Sequence, residues 1–422
     1  MTSTNAIETI DVIPGMQVAV EPRAGAEVAS LFWMIPAGTA GDPIGDAGAG
    51  EATVLHDVIM RGAGGYSSHE FSDALDRLGV QRATSASPYH ITLVAACLGD
   101  ALEETIRLLS LMVREPRIEQ ESLDASRELA LQSLRSLKDD PQSFVMMRAA
   151  EHALPSPFNL SGNGTEAGLA ALTPESLKAA WKRRALPGGS ILAIAGKVDP
   201  ARVKGVLESS LADWRGESVE PTVTAPPLRG EVFEQLASAQ TNMTLAFDAP
   251  RELDASRLSH ALVVRALGGG GMSNRLFTEV REKRGLCYSV GMGYSAGRDR
   301  GVMQVFAGST HEKAATTLAC IREEIAKMAA GLTPEEFDRG IIGFKSNIVM
   351  SGESTHGRAS SIAGDLFRRR RARTLDEIAA AVDALSFEAV NRHAAQAFSA
   401  ESLRQATLAV AGPSPLASIA AV

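Results

Sequence analysis

Several short segments recur in the same order at an offset of about half the chain, and this repeat constrains the fold of the 422 residues more than any other feature. Glu121-Ser-Leu-Asp124 returns as Glu335-Glu-Phe-Asp338, each opening a long helix that follows another long one. Leu172-Thr-Pro-Glu-Ser-Leu177 returns as Leu385-Ser-Phe-Glu-Ala-Val390, with Ser or Thr placed to cap a helix and Glu in its first turn. Ile191-Leu-Ala-Ile-Ala-Gly196 returns as Thr407-Leu-Ala-Val-Ala-Gly412, a short apolar strand closed by Gly. Because order and spacing are kept, the sequence predicts one fold used twice.

Within the first half, the patterning predicts strands at Met16–Glu21, Glu27–Ala37, Val80–Ser85 and Ile91–Cys97. Helices are predicted at about Ala52–Met60, Ser68–Leu78, Leu102–Val113 and Gln120–Leu137. Strands followed by runs of helices imply an α+β sandwich, with a sheet on one side and helices on the other. The polar, Pro-rich stretch within Trp214–Gly230 reads as a linker. The expected organisation is therefore two homologous domains, 1–218 and 230–422, joined by 219–229. A hydrophobic content of 45% suffices for two cores of that size.

A net charge of −8 and a pI near 5.6 argue against a nucleic-acid groove, which needs a basic face. The basic run Arg368-Arg-Arg-Arg-Ala-Arg373 reads first as a solvated helix end, where cations complement the dipole, and secondly as a contact for an acidic partner. Cys97, Cys287 and Cys320 are far apart in apolar segments and lack metal spacing, so they read as buried thiols. The first ten residues have neither a basic start nor an apolar core, and no apolar run is long enough to span a bilayer. A cytoplasmic protein without membrane contact is the resulting expectation.

The stretch Gly268-Gly-Gly-Gly-Met-Ser-Asn-Arg-Leu-Phe-Thr-Glu-Val-Arg281-Glu-Lys-Arg-Gly-Leu-Cys-Tyr288-Ser-Val carries the chemistry. Four glycines open a loop, an amphipathic helix follows, and Arg281 near its end is followed seven residues on by Tyr288 at the start of a strand. The glycines lack the spacing of a phosphate-binding loop, and a hinge between two helices is the plainer alternative. For Arg281 and Tyr288 the plainer reading is a helix-terminal Arg on carbonyls and a half-buried strand Tyr. The whole stretch resembles the second half of the pitrilysin-like zinc peptidases, the inverted zincins that include the mitochondrial processing peptidase. That resemblance implies that Arg281 and Tyr288 hold a peptide at a zinc site. It also implies that Gly268, Gly269, Gly270 and Gly271 touch the substrate, although this loop is shorter than the one it resembles.

Catalytic members of that family carry H-x-x-E-H on a helix, two imidazoles for the metal and a Glu as general base. That motif is absent from this chain. Gly50-Glu-Ala-Thr53-Val-Leu-His56-Asp57-Val-Ile-Met-Arg-Gly62 resembles the segment that would hold it. Thr53, His56 and Asp57 then stand where His, Glu and His belong. On the helix before Asp139-Asp140-Pro141, Ser133 stands where the third ligand, a Glu, belongs. The adjacent His56-Asp57 pair also matches the doublet of metal-dependent phosphohydrolases, but no other histidine lies within a helical turn of another. In Gln81–His90, whose family counterpart accepts peptide as an added strand, Pro88 is expected to interrupt such pairing.

The resemblance implies a zinc-free subunit of a heteromeric metalloendopeptidase. A homologous partner would bring H-x-x-E-H and zinc, this chain would bind no metal of its own, and peptides or unfolded proteins would be the substrates. The alternative is a structural homologue without proteolysis, like the core proteins of the cytochrome bc complex.

Overall fold

The computed structural model describes residues 6–45 and 48–416, and it contains two sheets of one topology. In the first, β1 (Glu8–Ile10), β2 (Gln17–Pro22), β3 (Val28–Ile35), β4 (Gln81–Ala86), β5 (Ile91–Leu98) and β6 (Ile191–Gly196) lie in the order β1-β2-β6-β3-β5-β4. In the second, β7 (Glu231–Gln235), β8 (Gln240–Ala249), β9 (Ser289–Ala296), β10 (Gly301–Thr310) and β11 (Thr407–Gly412) lie in the order β7-β11-β8-β10-β9. β2 pairs parallel to β6 as β7 pairs parallel to β11, and the remaining neighbours in each sheet are antiparallel. Strand for strand the two sheets correspond, with β1 the addition. The fold is α+β and duplicated, as the repeats predict.

The repeated segments fall where they are expected. Glu121 and Glu335 lie in the first turns of the helices Gln120–Ser136 and Pro334–Glu353. Thr173 accepts a hydrogen bond from the Ser176 amide and Ser386 one from the Ala389 amide, capping Pro174–Arg184 and Phe387–Ala397.

The strands β6 and β11 are buried at every position, which requires cover on both faces of each sheet. Side chains of a strand point alternately to opposite faces. Leu192 and Ile194 accordingly enter the large helix-covered core of the first sheet, while Ile191 and Ala193 pack with Ile362, Ala363 and Leu366 of the helix Thr355–Arg369. Likewise Leu408 and Val410 enter the main core of the second sheet, while Ala409 and Ala411 pack with Phe144, Val145, Ala149 and Ala153 of the helix Pro141–Ala153. Each sheet is thus closed on its second face by a helix taken from the opposite half of the sequence.

This exchange corrects the expectation of a single cut at 219–229. The first compact unit comprises the chain up to Arg135, Leu160–Thr224 and Val349–Leu375. The second comprises Ser136–Asn159, Ala225–Ile348 and the chain from Asp376 onward. The expected division at 219–229 does lie next to one of the crossings, between Thr224 and Ala225, but four other crossings accompany it.

Buried charge holds the exchanged helix in the first unit. Arg358, 1% exposed, donates from Nε to Glu21 of β2 at 2.8 Å and also from Nη2, and Glu21 is 2% exposed. Ser30 and Thr355 share a hydrogen bond of 2.8 Å. The basic run that ends this helix is partly structural, since Arg373 turns back to Asp365 with bonds of 2.9 and 2.7 Å. Among the described residues, no helix is long and apolar enough to cross a membrane.

Candidate functional site

The motif-like helix Glu51–Val58 is locked at its start by charge. Asp42 accepts from the Gly50 and Ala52 amides, and Arg184 donates to both Asp42 (3.0 Å) and Glu51 (3.1 Å). Burial raises the pKa of both carboxyls, and Arg184 opposes it. Further along, the three motif positions are all engaged inside the first unit. Thr53 donates its hydroxyl to the Gly162 carbonyl. His56 Nδ1 lies 3.4 Å from Thr84 Oγ1, whose hydroxyl donates to the His56 carbonyl at 2.6 Å. Burial lowers the His56 pKa, against the pull of Asp57, so the imidazole stays neutral.

Asp57 accepts from Arg61 Nε at 2.7 Å and from Ser126 Oγ at 2.5 Å. Ser126 lies on the helix expected to carry the third ligand, and Ser133, seven residues or about two turns further on, is exposed. These residues do not fit zinc. Two of the four positions bear hydroxyls, the Asp57 carboxylate is already neutralised by Arg61, and Ser133 has no carboxylate to offer. No three His, Cys, Asp or Glu side chains among the described residues come together as a metal-holding group. Ser126, the residue that meets Asp57, escapes a reading by motif spacing because spacing singles out Ser133.

The second unit displays its residues instead of satisfying them. The helix that starts at Arg257 runs on through a π-turn at Arg265–Gly269, so Gly268 and Gly269 are helical and the open segment is shorter than four glycines suggest. Gly268 is buried: a Cβ there would lie 2.7 Å from both Leu276 Cδ1 and Met292 Cβ. Gly269 and Gly271 are exposed, and Gly271 has φ +59°, a left-handed conformation suited to glycine. Asn274 begins the next helix by accepting from the Phe277 amide at 2.8 Å. Arg275 then fixes that helix to the turn before Pro334–Glu353 through Glu336 (2.7 and 2.6 Å) and the Gly331 carbonyl (2.8 Å).

Arg281 sits in a π-helical turn at Phe277–Glu282, a feature often found at functional sites. The helix ends on the Gly285 amide, which donates to the Arg281 carbonyl at 3.0 Å. Tyr288 immediately precedes β9, donates its amide to the Gly308 carbonyl at 3.3 Å, and is 79% exposed. The chain reversal brings the two together. The Arg281 guanidinium carbon lies 5.1 Å from the Tyr288 ring centroid and 4.7 Å from that of Phe277. Cys287 beside them is buried, and its thiol is pushed up to about 11, which keeps it neutral. Phe277 is the neighbour that motif matching overlooks, although its place four residues before Arg281 on a helix predicts contact.

Two further sequence readings meet the structure differently. Pro88 lies in the turn between Ser87 and His90, outside β4, and does not interrupt that edge strand, whose ladder partner among the described residues is β5. His260 and His393, 133 positions apart, come together with Nδ1 and Nε2 at 3.0 Å.

Comparison with known proteins bears on the whole chain. Residues 17–157 match the family model described as Insulinase (Peptidase family M16), and residues 171–344 match that described as Peptidase M16 inactive domain. The chain belongs to the M16 peptidase family. This is the pitrilysin-like family that its motifs resemble. An uncharacterized zinc protease of Bacillus subtilis is 24% identical over 82% of this M16 chain and 84% of its own. One from Mycobacterium leprae is 25% identical over 90% and 87%. A peptidase M16 inactive domain from Pseudomonas fluorescens has a TM-score of 0.87 at 20% identity, covering 98% of this chain and 99% of that one. A protease from Helicobacter pylori has a TM-score of 0.84 at 16% identity, covering 97% and 100%. These two likenesses speak for the M16 fold alone.

Proposed function

We propose that this chain is the zinc-free subunit of a heteromeric metalloendopeptidase. A homologous M16 partner carrying H-x-x-E-H supplies the zinc, and this chain supplies Arg281 and Tyr288 to hold the peptide and stabilise the oxyanion that forms on its carbonyl. The observation that carries the reading is a contrast. Thr53, His56 and Asp57 are satisfied within the fold, whereas Tyr288 is 79% exposed and neither its hydroxyl nor the Arg281 guanidinium has a hydrogen-bond acceptor among the described residues. Gly269, Gly270 and Gly271 are the glycines left to line the peptide, since Gly268 is packed. Three free, buried thiols suit a reducing compartment, and we place the protein in the cytoplasm.

Purification from the native cell, followed by a search of the companions for H-x-x-E-H, tests the partnership. Mixing the two chains is expected to produce peptide cleavage that neither has alone. Equal cleavage by the zinc-bearing chain with and without this one would leave a structural role.

A further inference from the structure

Arg281 differs from the arginines around it. Arg275 is held by both oxygens of Glu336 and Arg284 by Glu279, whereas Arg281 has neither a carboxylate nor a carbonyl partner among the described residues. Two aromatic rings flank it instead. Phe277, on the same helix, and Tyr288, at the start of the strand, place their centroids 4.7 and 5.1 Å from the guanidinium carbon. Contact with two rings restricts the guanidinium's motion without taking up its N–H donors, which a ring cannot accept as a carboxylate would. An uncompensated fork held in this way suits a planar acceptor that brings a full negative charge, which leaves the Tyr288 hydroxyl for the peptide carbonyl.

We propose that the Phe277–Arg281–Tyr288 cluster is a carboxylate-binding site. It selects peptides that present either an acidic side chain or a free C-terminal carboxylate to this chain, with Phe277 as a positioning residue. The inference rests on the reading of Arg281 and Tyr288 as peptide-binding residues, and it adds the class of peptide. The net charge of −8 makes a preference for anions informative, because the average field of the protein repels an acidic peptide. Any preference has to arise locally.

Fluorescein-labelled decapeptides of Ala and Ser test this with the purified full chain by anisotropy. One carries a central Glu and a C-terminal amide, a second Gln in its place, a third a neutral sequence with a free C-terminus, and a fourth the same sequence amidated. We expect about a tenfold preference either for Glu over Gln or for the free acid over the amide, and the arm that shows it identifies the carboxylate. Arg281→Gln should abolish the preference. Phe277→Leu should reduce it several-fold while Phe277→Tyr preserves it, with unchanged circular dichroism in each case. Equal binding of all four peptides, weakened by Arg281→Gln, would overturn the carboxylate site and leave the peptide-binding reading standing. Binding of none, or a preference indifferent to Arg281, would overturn the site outright, while the mixing experiment continued to judge the subunit reading.

Discussion

Removing the Tyr288 hydroxyl while keeping its ring separates chemistry from packing. In the assembled pair, Tyr288→Phe should lower kcat by ~10²–10³, or ~2.7–4 kcal/mol, if the phenol donates to the oxyanion. Steady-state kinetics beside unchanged co-elution and zinc content checks this, and an unaltered kcat would reduce the residue to scaffold. Isolated chain should contain no stoichiometric zinc by elemental analysis, given the hydroxyls of Thr53 and Ser133 and the Arg61 pairing of Asp57. A third residue-scale test uses the buried His260, whose pKa burial lowers from 6.5 to about 3, with His393 adding to the effect. A depressed histidine contributes stability that is complete above its unfolded pKa and is lost as pH falls through the folded one. Stability should therefore drop from about pH 6.5 toward pH 3, at up to ~1.4 kcal/mol per pH unit for one such group. The raised Asp42 and Glu51 act in the opposite sense, losing stability as pH rises through their folded values. Urea midpoints for wild type and His260→Phe isolate the histidine: the slope between pH 6.5 and 5 should flatten in the variant.

Among the elements, the exchanged helix Thr355–Arg369 offers the sharpest contrast between single and paired substitutions. Arg358→Ala takes both guanidinium bonds from buried Glu21 and leaves it only the longer pairing with Arg23 at 3.7 Å, at an expected loss of about 3 kcal/mol, whereas Arg358→Met with Glu21→Leu should lose less. Denaturant unfolding of both variants decides it. Gly268→Ala should cost about 1–3 kcal/mol, since its new methyl collides with Met292 Cβ in the strand as well as with the flexible end of Leu276. The eight elements predicted in the first half match observed ones to within a few residues, because period and caps are local properties. Strand β1 escaped since its three residues are little buried and carry no alternation. An apolar helix face tells that something covers it and not which sheet does, so the exchange of Pro141–Ala153 and Thr355–Arg369 was illegible. For the site, the seven-residue spacing of Arg281 and Tyr288 was readable, but Ser126 on Asp57 and Phe277 on Arg281 depend on side-chain placement.

For the molecule as a whole, the incomplete first site and the displayed second one predict obligate company. A stable pair should bury more than ~2,000 Å² in total and co-elute at micromolar concentration. Two chains that migrate separately and cleave no faster together would end the heteromer idea. The exchanged helices carry a different consequence, for synthesis. All six strands of the first sheet have been synthesised once Gly196 is made, yet the helix that covers their second face ends at Arg369. Domains usually fold in the order they are translated. Here the earliest sheet must wait with Ala19, Met34, Ile191 and Ala193 uncovered while most of the second unit is produced, so the nascent chain leaves open to aggregation a face that the finished protein buries.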